Sequence, residues 1–248
     1  MMAIDMKYNN LFLLLALLLP VGCMGIDNFD APAAKIQGRI IDKTTGQPMY
    51  LGQAESHIRI WEVSYRWDPE PQDLNTKADG TYYNDKLFTG TYDMLPLDGA
   101  WWPCDTTFNV KIGKKGAVQD FEVTPYLHLI DFYYELDGVN LTMSCRLEAP
   151  IREGMPRVIE VRPFINNNSL CGFGSRLDYY FSDTYTIRIN KDWEELDNGK
   201  GVSKDTYSVT VPLKAGYHYT VRMGALVNFK YVNYNYTETM EVKVPKDA

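Results

Sequence analysis

From residue 35 onward the chain is cut into short apolar runs by turn residues, and this punctuation constrains the fold more than any other feature. Asp79-Gly80, Asp137-Gly138, the Gly-Lys-Lys-Gly run at 113–116 and the Asn-Gly-Lys-Gly run at 198–201 recur between the runs. Such dipeptides close hairpins because Gly adopts backbone angles that other residues avoid. The runs between them are rich in Tyr, Val, Ile and Thr, which suit strands. No stretch of useful length places apolar residues at helical spacing, which excludes a Rossmann domain or a TIM barrel. The sequence therefore predicts an all-β protein.

In the first half, 35–42 (KIQGRIID) reads as a strand in which Gly38 marks a bulge or a close backbone approach. Residues 43–48 (KTTGQP) read as a turn and 57–65 as a second strand, with Ile58 and Ile60 alternating against charged neighbours. Residues 67–73 (WDPEPQD) hold two prolines and read as loop. A strand is expected through Met94, then a loop at 97–107 (LDGAWWPCDTT), then strands at 108–112 and 118–123. Pro125 is the expected boundary. Beyond it strands are predicted at 126–136, 140–148, 157–165, 179–189, 206–211, 217–229 and 236–244, with one helical turn at 191–196. About seven strands in this length is the pattern of an immunoglobulin-like or fibronectin-like sandwich.

The order Gly38-Arg39-Ile40-Ile41-Asp42, Thr45-Gly46-Gln47-Pro48, Ile58-Arg59-Ile60, Asp79-Gly80-Thr81-Tyr82 and Gly90-Thr91-Tyr92 resembles the transthyretin-like (prealbumin-like), carboxypeptidase-regulatory-type β-sandwich. With Asp27-Asn28-Phe29-Asp30-Ala31-Pro32 ahead of it, the chain looks like an uncharacterised two-domain lipoprotein family of Bacteroidetes. The resemblance implies a transthyretin-like sandwich over 35–124 and an immunoglobulin-like sandwich over 125–248. It also implies a neighbourhood, beside outer-membrane glycan importers and their lipoprotein partners. The family brings no catalytic or binding residues to carry over.

Residues 11–19 (LFLLLALLL) are apolar and too few to cross a bilayer, which takes roughly 20. They suit the apolar centre of a signal peptide over 1–22, and a start at Met6 gives it the more ordinary charge. Gly22 meets the need for a small residue before a cleaved cysteine, whereas Pro20 departs from the usual pattern. Cys23 is then either lost in ordinary secretion or becomes the acylated first residue of a tether over 23–34. The second reading gives a lipid-anchored outer-membrane protein facing the cell exterior. Asp27 and Asp30 resemble the acidic surface-export tags of Bacteroidetes lipoproteins. Cys104, Cys145 and Cys171 remain, so one disulfide at most is expected, with Cys145–Cys171 the first pair to try. A net charge of −7 without a basic block argues against a nucleic-acid partner.

No catalytic constellation, metal site or cofactor motif stands out. The three histidines are isolated, and no Gly-x-Ser-x-Gly elbow or phosphate loop occurs. Asp178, Asp183 and Asp192 lack the spacing of a calcium loop. The candidate ligand surface is Trp101-Trp102, extended by Trp67 and Tyr65, because indole and phenol faces stack on sugar rings. Against it, one tryptophan of the pair could plug the domain junction. The expected role is an accessory glycan-binding lipoprotein without enzyme activity. The alternative is a spacer that docks on an outer-membrane transporter or a partner lipoprotein.

Overall fold

The computed structural model describes residues 31–65 and 67–247. The signal segment, Cys23 and most of the tether lie outside the described residues. Pro32–Ala248 forms one compact unit.

Its first half is a sandwich of two sheets. In one, β1 (Ala34–Asp42) is central, with β4 (Thr81–Leu87) antiparallel on one side and the short β7 (Ala117–Val118) and β8 (Phe121–Val123) parallel on the other. In the other, the order is β3-β2-β5-β6, from β3 (Pro71–Asn75), β2 (His57–Glu62), β5 (Gly90–Leu97) and β6 (Thr107–Ile112). Alternation along β1 and β2 sends Ile36, Ile40, Ile58 and Ile60 inward to meet Tyr82 and Met94, each at most 1% exposed. The second half pairs the sheet β13-β10-β9, from β9 (His128–Asp137), β10 (Asn140–Glu148) and β13 (Tyr207–Pro212), with a larger one. That larger sheet runs β12-β11-β14-β15, with β16 also on β14: β11 (Val158–Asn166), β12 (Ile187–Lys191), β14 (His218–Val227), β15 (Tyr234–Tyr236) and β16 (Met240–Lys243). The expected helical turn is α1 (Trp193–Leu196), and Trp193 buries itself in the second core. The protein is all-β, with two sandwiches in series.

Three local expectations need correction. Residues 67–73 are not all loop, because β3 starts at Pro71; proline is tolerated there as the first residue of an edge strand. Residues 179–189 are not one strand. Asp183–Tyr185 is a 3₁₀ turn and only Ile187–Lys191 pairs, so the tyrosines ahead of it are free of any ladder. Cys145 and Cys171 are not bonded to each other; both thiols are free and lie in separate apolar clusters. Burial pushes each of them up to about 12, which keeps the unreactive thiol form at neutral pH.

Strand register gives each sandwich two distinct ends. In the first, Ala34 pairs with Leu87, Glu62 with Tyr92, and Gly90 with Ile112. The chain entry, the 63–70 loop, the 88–89 turn and the 113–116 turn therefore share one end. The opposite end, with Asp42, Glu55 and residues 98–102, meets the second sandwich. There Ala100 packs into the second core while Trp101 packs into the first. In the second sandwich, His128, Glu148 and the Val227 end of β14 lie at this junction. The Asp137, Pro212 and His218 ends lie away from it.

The junction is polar and closely made. Asn235, 2% exposed, donates to the Ala100 carbonyl at 2.8 Å and accepts from the Leu127 N–H at 3.1 Å. Asn233 donates to the carbonyls of Glu55 and Asp98. The Arg222 guanidinium donates to the Leu51 carbonyl at 2.9 Å and lies 3.6 Å over the Tyr236 ring. Glu55 accepts from the Tyr236 hydroxyl at 2.7 Å and the Gly174 N–H at 2.8 Å. Gly172 fits here because an added Cβ would stand 3.2 Å from the Gly52 Cα and 2.6 Å from Arg222 Nη2.

Candidate functional site

The described residues include an open, tyrosine-lined cleft of about 450 Å³ at the end of the second sandwich away from the first. Two segments build it. After the Lys214-Ala215-Gly216 turn, where Gly216 adopts a φ of 81°, β14 begins, and Tyr217 and Tyr219 project on one face because strand side chains alternate. The other segment follows β11. The Leu177 N–H donates to the Ile165 carbonyl and the Tyr180 N–H to the Leu177 carbonyl, which turns Tyr179 and Tyr180 back toward β14.

Tyr180 and Tyr219 form the floor, 4% and 5% exposed, with centroids 6.2 Å apart and planes nearly perpendicular. Tyr179 stands edge-on to Tyr180 at 5.0 Å and is 69% exposed. Tyr217 leans on Tyr219 at 6.2 Å and is 55% exposed. Burial first, then the Tyr219 hydroxyl, pushes the Tyr180 phenol well above its usual range, so it stays a neutral hydroxyl at neutral pH. Asn167, Asp178 and Lys214 complete the lining. The volume falls within the roughly 300–1,000 Å³ of small-ligand sites. Ring faces with flanking amide, carboxylate and ammonium groups can take a ligand that is apolar on its faces and hydroxylated at its edges.

A second cleft, of about 410 Å³, opens at the junction beside His128. His128 Nε2 lies 2.7 Å from Asp42 and Nδ1 lies 3.1 Å from Glu148. The Thr44 hydroxyl is 3.3 Å from Nε2 but donates to Asp42 at 2.6 Å. The hydroxyl–His–carboxylate order mimics a hydrolase triad, yet Asp42 takes both the hydroxyl and the ring nitrogen. His128 thus ties the second sandwich to the first.

The sequence-derived candidates do not come together. Trp101 is 4% exposed and belongs to the first core, which corrects its place on a stacking platform. Trp102 is half-buried, packed 5.2 Å from the Tyr126 ring at the junction. Tyr65 and Trp67 are 78% and 97% exposed, but at the other end of the first sandwich. The length of β5, about 25 Å at roughly 3.3 Å per residue, separates the two pairs. The adjacent indoles are what a domain junction needs, one ring for each core. Asp178, Asp183 and Asp192 each face a different arginine, namely Arg176, Arg188 and Arg157. The tyrosine cleft was missed because 179–189 read as one strand, whose aromatics would pack by alternation. The Tyr-x-Tyr at 217–219, just after a Lys-Ala-Gly turn, was the available signal.

Residues 34–124 match the family described as "Protein of unknown function (DUF3823) N-terminal domain". This segment belongs to the DUF3823 family. Solved structures share the fold across both sandwiches, so the second sandwich accompanies the DUF3823 domain elsewhere too. A candidate carbohydrate-binding protein from Bacteroides uniformis is 23% identical with a TM-score of 0.71, covering 86% of this chain and 99% of its own. A DUF3823 family protein from the same species is 21% identical with a TM-score of 0.70, covering 86% and 100%. One from Parabacteroides merdae is 19% identical with a TM-score of 0.63, again covering 86% and 100%. No curated protein matches the sequence.

Proposed function

We propose that this DUF3823 protein is a lipid-anchored outer-membrane protein, facing the cell exterior, that binds a polysaccharide or oligosaccharide without turning it over. The observation that carries the reading is the tyrosine cleft at the free end of the second sandwich, with two rings presented to solvent beside Asn167, Asp178 and Lys214. The signal-like segment ending at Cys23 supports the anchor. The carbohydrate-binding description of the similar Bacteroides uniformis protein supports the ligand class.

The test is affinity electrophoresis and calorimetry against a panel of polysaccharides. Tyr179→Ala and Tyr217→Ala each weaken binding several-fold, up to about tenfold, since a sugar ring stacked on one aromatic face contributes roughly 0.5–1.5 kcal/mol. Tyr133→Ala, which removes an exposed tyrosine on β9, leaves it unchanged. Absence of binding across the panel, or equal loss from all three variants, defeats the reading.

The closely bonded junction favours a second reading, a rigid spacer docking on a transporter or partner lipoprotein. Crosslinked co-purification of such a partner, with no glycan affinity, selects it.

A further inference from the structure

We propose that the chain-entry end of the first sandwich is a membrane-resting face that lies against the anionic headgroups of the bilayer. This rests on the anchored reading above. The tether argument is geometric. Position 23 is eleven residues from the start of β1, and eleven extended residues reach at most about 40 Å. An anchor there joins the fold at this end, about one sandwich length nearer to it than the junction.

The side chains at that end match such a surface. Trp67, 97% exposed, and Tyr65, 78% exposed, stand on the 63–70 loop, and Phe88, 49% exposed, on the neighbouring turn. Ser64 and Phe88 are tied to the sheet beside them. Thr91 N–H donates to the Ser64 hydroxyl, Ser64 N–H to the Glu62 carboxylate, and the Tyr92 hydroxyl to the Phe88 carbonyl. Tyr50, Tyr83 and Phe108 are exposed elsewhere on this sandwich, but here three large rings share one end, and such a group marks a contact surface where single rings do not. Tryptophan and tyrosine favour the headgroup region, where the ring is shielded and its polar atom stays wet. Lys86, Lys111 and Lys115 lie toward the same end and are exposed, which suits phosphate headgroups. Asp68 and Glu70 share the loop, so the rings and not net charge carry the attachment.

The experiment holds the chain from position 23 onward on vesicles through an N-terminal hexahistidine tag and nickel-chelating lipid. The vesicles contain phosphatidylethanolamine, phosphatidylglycerol and a brominated phospholipid. The tag replaces the native anchor, so a finding that Cys23 carries no lipid defeats the anchored reading without touching this result. Bromolipid quenches part of the tryptophan emission of the wild type, and the Trp67→Phe variant loses that quenching. Its near-complete exposure makes the variant safe for folding. Wild-type emission unaffected by bromolipid overturns the proposal, as does equal quenching in Trp67→Phe. A photo-crosslinker at position 67 that captures an outer-membrane protein in cells, with no lipid adduct, also overturns it.

Discussion

Asp42 ties its own turn to the second sandwich through one side chain. It is 5% exposed, accepts from the Thr44 and Thr45 hydroxyls at 2.6 and 3.0 Å, and faces His128 across the sandwich boundary at 2.7 Å. Burial alone would raise its pKa, but the Thr44 hydroxyl and N–H and then His128 outweigh it and hold the carboxyl below its usual 3.8. A group whose folded pKa is depressed stabilises the fold above its unfolded value, and the contribution disappears as pH falls through the folded one. Asp42 therefore steepens the loss of stability below about pH 4, while contributing fully at neutral pH. Urea midpoints measured from about pH 6 down to pH 2 should fall less steeply in this window for Asp42→Asn than for the wild type. Parallel acid limbs would show that other carboxylates dominate. Thr44 and Thr45 beside Gly46 were legible as a turn, and Gly46 has the positive φ of 71° that its turn requires. The partnership with His128, 86 residues further along, leaves no local mark in the sequence.

At the scale of elements, the strands with clean alternation and strong turn signals were legible. β1, β9, β10 and β14 lie where the punctuation placed them. What failed was set by pairing with a distant partner. β3 exists because β2 offers it an edge, although PQDLN has little strand character of its own. Gly38 was read as a bulge or a close approach, and it is a close approach. A Cβ there would stand 1.8 Å from the Gln119 carbonyl oxygen and 2.8 Å from the Tyr82 ring. The same carbonyl accepts the Tyr82 hydroxyl at 2.6 Å, so neither neighbour can retreat without breaking that bond. Gly38→Ala should cost about 3 kcal/mol, the upper part of the overpacking range, because β1 must part from the chain leading into β8. Gly113→Ala, with nothing within 4 Å of its added Cβ, should stay within about 0.5 kcal/mol. Paired urea unfolding of the two variants checks this, and similar losses would refute the steric account.

Across the whole molecule, the junction decides whether two sandwiches act as one body, which matters if one end is anchored and the other presents a cleft. Asn235 is the most demanding contact, since it satisfies one backbone group on each side of the boundary, Ala100 O and Leu127 N, from a position 2% exposed. Arg222, 1% exposed, adds the Leu51 carbonyl and the Tyr236 ring. Polar groups buried in such a place cost about 1–3 kcal/mol each when a partner is removed. A junction held this way couples the unfolding of its halves, because parting the sandwiches strands those groups before either core is lost. The wild type should thus melt in a single calorimetric transition whose van't Hoff and calorimetric enthalpies agree. Asn235→Ala leaves both sandwich cores intact but strands the Ala100 carbonyl and the Leu127 N–H. It should lower stability by about 2–4 kcal/mol and split the melt, with the van't Hoff enthalpy falling below the calorimetric one. Addition of Arg222→Ala should widen the split further, since both residues act on the same boundary. A double variant that still melts in one step would mean that the two halves are joined by their apolar contacts, with Ala100 in one core and Trp101 in the other, and that the polar seam only sets their orientation.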